Sequence, residues 1–246
     1  MRTMFKSSNP AMRSMEKVSY EASAIPMTVQ GTVNKTFIML LLVLLTATIT
    51  WKMIIAGNMA GYSLITFGAI AGFITALIAI FKPNTIHVTA PLYALFEGLL
   101  IGGVSATYLS FYQGIVIQAV GITIAIFAAM LIMYKLRILK ASPAFVKILV
   151  IATGGIALYY LVAIVASFFS ADFTVFAMPR GLGLGIQLFI VAIAALNLIL
   201  DFNYIEQGSA QGLPKKMEWY GAFGLMVTLI WLYLEILRLL ALLSRR

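Results

Sequence analysis

The sequence predicts an all-α integral membrane protein with seven transmembrane helices, and three observations predict it. Of 246 residues, 62% are hydrophobic and 10% charged, whereas soluble domains run at roughly 45–50% and about 25%. The mean hydropathy is +1.02. Apolar runs of about 20 residues recur between short polar connections, the length a helix needs to cross a hydrocarbon core about 30 Å thick. Helix is the assignment because a single segment in lipid must satisfy its own backbone hydrogen bonds. These figures exclude a soluble fold, a disordered chain and a nucleic-acid module. The formal net charge of +9 comes from Lys and Arg at the ends of apolar runs, where phospholipid is the anionic partner.

Residues 1–35 read as a polar, basic cytoplasmic tail carrying Arg2, Lys6, Arg13, Lys17 and Lys35. Disorder is expected for it, with at most a short amphipathic contact with the membrane surface. The first apolar run begins too late and runs too far for a cleavable signal peptide. Residues 36–242 form the transmembrane domain, with spans at about 36–56, 62–81, 89–109, 114–134, 145–169, 181–200 and 219–242, and 243–246 a short basic C-terminus. The seventh span is the weakest, because Glu235 and Arg238 fall inside it, and a buried, partly re-entrant helix is the alternative. Most of the 17 Lys and Arg fall on one side when the N-terminus is cytoplasmic, which sets the orientation. Seven crossings then place the C-terminus outside, although Arg238, Arg245 and Arg246 give that end the basic character of a cytoplasmic one.

Small residues recur at four-residue spacing as Gly68 and Gly72, as Gly98, Gly102 and Ala106, and as Gly181 and Gly185. Such faces let helices approach closely in lipid, and general bundle packing is the expectation. Trp51, Trp219 and Trp231 are read as interfacial anchors.

The acids in or beside apolar runs carry the functional information, since an ionised carboxylate at mid-bilayer costs roughly 2.5–3.5 kcal/mol even on the mildest scale. Glu16 and Glu21 lie in the tail, Asp172 and Glu218 in loops, and Glu206 just past a span. Glu97, Asp201 and Glu235 remain. Glu97 lies some 12 Å along the third span, between Pro91, which is expected to disturb the backbone nearby, and Gly98. Asp201 ends the sixth span, with Asn197 one turn earlier on the same face. Glu235 has Arg238 three residues on, an intrahelical pair near the headgroups, and Thr228 two turns earlier. Desolvation raises the pKa of a buried carboxylic acid, and two neighbouring carboxyls share a titration. Such a pair switches helix packing with pH and, when ionised, attracts a hard cation such as calcium.

Enzymatic chemistry finds no foothold, and no cofactor is expected. The chain has no cysteine and one histidine, His87, read as a solvated loop residue. No nucleophile stands with a base at workable spacing. Gly181, Gly183 and Gly185 alternate in RGLGLGIQ but open a transmembrane helix instead of following a strand, so they are no nucleotide fingerprint.

From about residue 34 to 240, the chain resembles the Bax inhibitor family, the transmembrane BAX-inhibitor-motif proteins, in the bacterial branch with a longer basic tail. The segments that carry the resemblance are SSNPAM, GTVNKTFIMLLL, APLYALFEGLLIGGVSA, YQGIVIQAVGITIAIFAAMLIMY, LDFNYIEQG and EWYGAFGLMVTLIWLYLEILRLL. It implies seven helices with the last one central, wrapped by the other six, a calcium leak, and a pH-sensing pair of aspartates at the end of helix six and in helix seven. Asp201 matches the first. The second falls on Thr228, and either Glu97 or Glu235 replaces it, or conduction in this branch differs or is absent. The expectation is a passive, proton-modulated cation path gated by contacts of Asp201 with helices three and seven, with Asp201 touching calcium transiently. A non-transporting regulator that binds other membrane proteins, such as a protease or a stress component, is the alternative. A proton-coupled transporter would need internal repeats with broken helices, and none stands out.

Overall fold

The computed structural model describes residues 25–169 and 174–245. Arg2, Lys6, Arg13, Glu16, Lys17, Glu21, SSNPAM, Asp172 and Arg246 lie outside the described residues. Among the described residues, seven α-helices follow one another: α1 (Val29–Ile55), α2 (Ala60–Phe81), α3 (Ile86–Phe111), α4 (Ile115–Lys135), α5 (Pro143–Ser167), α6 (Arg180–Ala210) and α7 (Met217–Ser244). All seven are long and apolar enough to cross a membrane, the first counted from Val29, and the protein is a multi-pass membrane protein.

Local chemistry sets where the helices begin and end. Thr28 caps α1 by accepting from the Gly31 amide at 2.9 Å. Ser142 caps α5 by accepting from the Phe145 amide at 3.3 Å, and Pro143 fills its first position, where a missing N–H costs nothing. Gly114 (φ 76°) and Gly212 (φ 68°) turn the chain between α3 and α4 and between α6 and α7 in the left-handed conformation that glycine tolerates. Pro91 does not disturb α3, which runs unbroken from Ile86 to Phe111. It sits in the second turn, so the lost hydrogen bond falls at the exposed His87 end.

Two boundaries depart from the sequence reading. The first helix starts at Val29, inside the stretch assigned to the tail, because the chain before it is docked on other protein. The Met27 amide donates to Leu213 O at 2.7 Å and the Lys215 amide to Ile25 O at 3.0 Å, while Met27 is buried against Gly208 and Leu213. The sixth helix continues ten residues beyond Leu200 to Ala210. Phe202 and Ile205 stay buried there with α4 and α7 residues, so polar neighbours such as Asn203 do not end it.

α7 is the most buried helix and α5 the least. α7 packs against α1, α3, α4 and α6, whereas α2 lies outside on α1 and α3, and α5 rests on α6. The expected central position of the last helix is therefore met with α2 at the periphery. One apolar cluster joins α4, α6 and α7, a second joins α1, α3 and α7, and a smaller one joins α5 to α6. α7 crosses the whole bundle. Its start lies by the beginning of α1, and its last turn meets the start of α6, where Arg180 donates to Leu243 O at 3.3 Å and Arg245 to Phe176 O at 2.7 Å. It is not re-entrant. Alternation of the helices gathers Lys82, Lys135, Lys140, Lys147, Lys215 and Lys216 at the end where α1 and α7 begin, called the basic end below.

The small-residue faces divide. A Cβ on Gly98 would lie 1.9 Å from Thr46 Oγ1 and 2.4 Å from Val43 O, and one on Gly102 2.1 Å from Ala47 O, so α1 and α3 touch backbone to backbone. Gly68 meets Phe96 O at 2.6 Å in the same way. Gly181 and Gly185 have nothing within 4 Å, while Gly183 between them meets Val175 O at 2.6 Å. Trp231 is likewise no interfacial anchor, for it lies at mid-helix and donates to Glu235 at 3.1 Å.

Gly98→Ala is expected to destabilise the bundle by about 1–3 kcal/mol through overpacking against fixed backbone. Gly185→Ala should leave the melting temperature of detergent-solubilised protein unchanged. A fluorescence thermal-shift comparison of the two checks both outcomes.

Candidate functional site

Continuation of α6 past Leu200 puts Asp201 inside the helix instead of at its end, nine residues before Ala210. Its carboxyl faces α7. Thr228 is its polar neighbour, and a Cβ on Gly224 would lie 3.5 Å from Oδ1. The Thr228 hydroxyl is committed to its own helix, donating to Gly224 O at 3.2 Å. Among the described residues, the buried side-chain atoms without a hydrogen-bond partner are Thr50 Oγ1, Gln187 Oε1 and Asp201 Oδ2. Only the last belongs to an ionisable group. Asp201 lines a crevice of about 360 Å³ between α5, α6 and α7, walled by Val146, Tyr204, Tyr220 and Gly221 and opened by the missing side chain of Gly224.

The other sequence candidates lie elsewhere. Asn197 shares the helix face but not the partner: its amide donates to Thr153 Oγ1 at 3.0 Å and Ile193 O at 2.8 Å, tying α6 to α5. Glu97 points from α3 at α2, where a Cβ on Gly72 would lie 3.0 Å from its Oε1, and Tyr93 one turn earlier is its polar neighbour. Hence α3 brings no acid to Asp201. Glu235 pairs with Arg238 at 2.9 Å, at the expected spacing, but Glu235 is buried within the bundle and only Arg238 keeps some exposure. Its carboxylate also accepts from Tyr160 of α5 at 2.6 Å, Gln187 of α6 at 2.7 Å and Trp231 at 3.1 Å. Every one of these donors is spent on Glu235, so it is not a second carboxylate for Asp201. Of the five residues, the fold joins Asp201 with Thr228 and leaves Asn197, Glu97 and Glu235 in separate surroundings. His87 is exposed in the first turn of α3.

Two acids assigned to connections are structural. Glu218 is not in a loop; it lies in the first turn of α7, where a carboxylate suits the helix dipole. It is buried, pairs with Lys35, and accepts from the Thr28 amide at 2.9 Å and hydroxyl at 3.1 Å. The polar stretch before the first span was the hint, since its Lys needs a counter-charge once helical. Glu206 lies within α6 and holds the α4–α5 connection, accepting from Tyr134 and from Arg137 at 2.6 Å. Gln187 was missed; a glutamine in LGIQLFIV was the available signal.

A metal cage is not what this arrangement offers. No three His, Cys, Asp or Glu converge among the described residues. A calcium ion beside Asp201 would find one carboxylate and the Thr228 hydroxyl, far short of the six to eight oxygens of a resident site.

Residues 7–245 match the protein family described as Bax inhibitor 1 like. The chain belongs to that family. Comparison with curated proteins returned no match. The match spans nearly the whole chain, so the buried acids lie within the Bax inhibitor-like unit. In this Bax inhibitor-like protein Asp201 of α6 faces α7, where its polar neighbour is the Thr228 hydroxyl.

Glu235 supports the bundle from three helices, so Glu235→Ala, which strands Arg238, is expected to cost about 3–5 kcal/mol. Replacing both residues by Gln and Met should recover part of the loss. Thermal denaturation of the single and double variants in one detergent measures the difference.

Proposed function

We propose that this Bax inhibitor-like protein is a passive, pH-modulated cation path, with calcium as the principal cargo, in the bacterial inner membrane with its N-terminus cytoplasmic. The observation that carries the reading is the unpartnered Asp201 Oδ2 at the wall of a crevice between α5, α6 and α7. Gain or loss of one proton there changes the charge facing α7, and no fixed donor holds that oxygen in either state. An ionised Asp201 offers a passing cation a weak, single-carboxylate contact, as conduction requires, because a path must bind loosely enough to release. The cluster of Lys at the basic end supports the orientation. The reading is of a conduit and not of an enzyme: hydroxyls such as Thr36 and Thr123 donate to carbonyls of their own helices at 3.0 and 2.7 Å and stand with no base.

The absence of a facing carboxylate has a kinetic signature. A lone Asp201 titrates once, so flux should follow a single protonation, whereas a dyad titrates in two coupled steps. Calcium flux into dye-loaded liposomes across a pH series tests the proposal. Asp201→Asn is expected to flatten the pH dependence, and Thr228→Asp to split it into two steps. If Asp201→Asn leaves both flux and pH profile as in the parent, the proposal is wrong.

A further inference from the structure

α5 and α6 are held together at mid-membrane and part towards the basic end. The Asn197–Thr153 hydrogen bond and the contacts of Leu149 and Ile156 with Ile190 and Ile193 close the pair. Beyond them a groove of about 530 Å³ opens, sharing Val146 and Asn203 with the Asp201 crevice. One wall is the α5 stripe Pro143, Val146, Lys147 and Val150, residues at the i, i+3, i+4, i+7 spacing of a single helix face. The other carries Asn203 and Gln207 of α6. Val150 and Ile151 lie deeper along α5 than Lys147, and Lys147, Asn203 and Gln207 lie within about two turns of the helix ends, at headgroup depth.

We infer that this groove is a binding site for one anionic phospholipid, its phosphate at Lys147 and the Asn203 amide and one acyl chain against Val150 and Ile151. The charges at the rim select the occupant. Lys147 is exposed and makes no ion pair among the described residues; Glu206, next to Gln207, is already held by Arg137 and Tyr134, and Asp201, two residues before Asn203, turns its carboxyl towards Gly224 of α7 and does not line the groove. Gln207 donates to Asn203 Oδ1 at 3.1 Å, which turns the Asn203 amide into an oriented donor. A cation with a neighbouring neutral donor at the membrane surface suits a phosphate diester, and an apolar slot running inward from it suits an acyl chain. A soluble anion would leave that slot unfilled. The lipid would then sit in the mouth of the crevice that holds Asp201.

Delipidated protein titrated with phosphatidylglycerol and, separately, with phosphatidylcholine, with bound lipid counted by native mass spectrometry, tests the site. The parent is expected to retain phosphatidylglycerol at least about fivefold better, a difference of about 1 kcal/mol. Lys147→Glu should abolish the preference, Lys147→Arg should keep it, and Val150→Trp, which fills the slot, should weaken both lipids. Thermal denaturation confirms that the surface variants are folded. A preference unchanged in Lys147→Glu would overturn the inference, leaving annular lipid only, as would full displacement by inorganic phosphate. A photocrosslinker at position 150 that captures a second copy of the chain instead of lipid overturns it too. Binding is read without any flux, so this site and the conduction reading fail independently.

Discussion

In lipid no water is at hand to complete a hydrogen bond, and that single constraint shapes the polar side chains along the described spans. Threonines along the spans turn their hydroxyls back onto carbonyls one turn earlier, as Thr36, Thr75 and Thr123 do. Glu235 gathers four donors from three helices, and Glu218 takes Lys35 together with both polar groups of Thr28. Against that background, an acid with a buried, unpartnered oxygen stands apart, and Asp201 is the ionisable group that has one among the described residues.

Packing follows from the same solvent. With no hydrophobic drive between helices in hydrocarbon, they cohere by close contact and polar linkage. α1 and α3 use the first, meeting across Gly98 and Gly102 at distances that leave no room for a Cβ. α7 uses the second as well, and the Glu235–Arg238 pair ties it to α5 and α6 at mid-bundle. α5 has neither in quantity. Its Thr153–Asn197 bond holds it at one level, and towards the basic end it diverges from α6. The crevice beside Asp201 and the groove outside it both arise from this looseness.

The Bax inhibitor-like family match sets the frame in which Asp201 and Thr228 are read. With a hydroxyl facing it, Asp201 meets no like charge from Thr228 across the α6–α7 contact. The Thr228 hydroxyl lies between Gly224 O, to which it donates at 3.2 Å, and the Asp201 carboxyl, and Oδ2 of that carboxyl keeps no partner.

Seven helices and their approximate spans were legible in the chain, because a hydrocarbon slab about 30 Å thick imposes length and apolarity on each segment independently of its neighbours. So were Asp201 as an unusual acid, Gly98 with Gly102 as a close-contact face, and the Glu235–Arg238 spacing. What decides a polar residue's fate, however, is which helix stands opposite, and no local pattern encodes that. Only the tertiary structure carried α1 back to Val29 by giving Lys35 a buried Glu218, moved Trp231 from membrane anchor to donor, left Gly181 and Gly185 without a neighbour, and kept Glu97 and Glu235 away from Asp201. One-dimensional pattern fixes what each segment must satisfy in lipid; contacts between segments distant in sequence determine which groups are satisfied and which, like Asp201 Oδ2 among the described residues, are not.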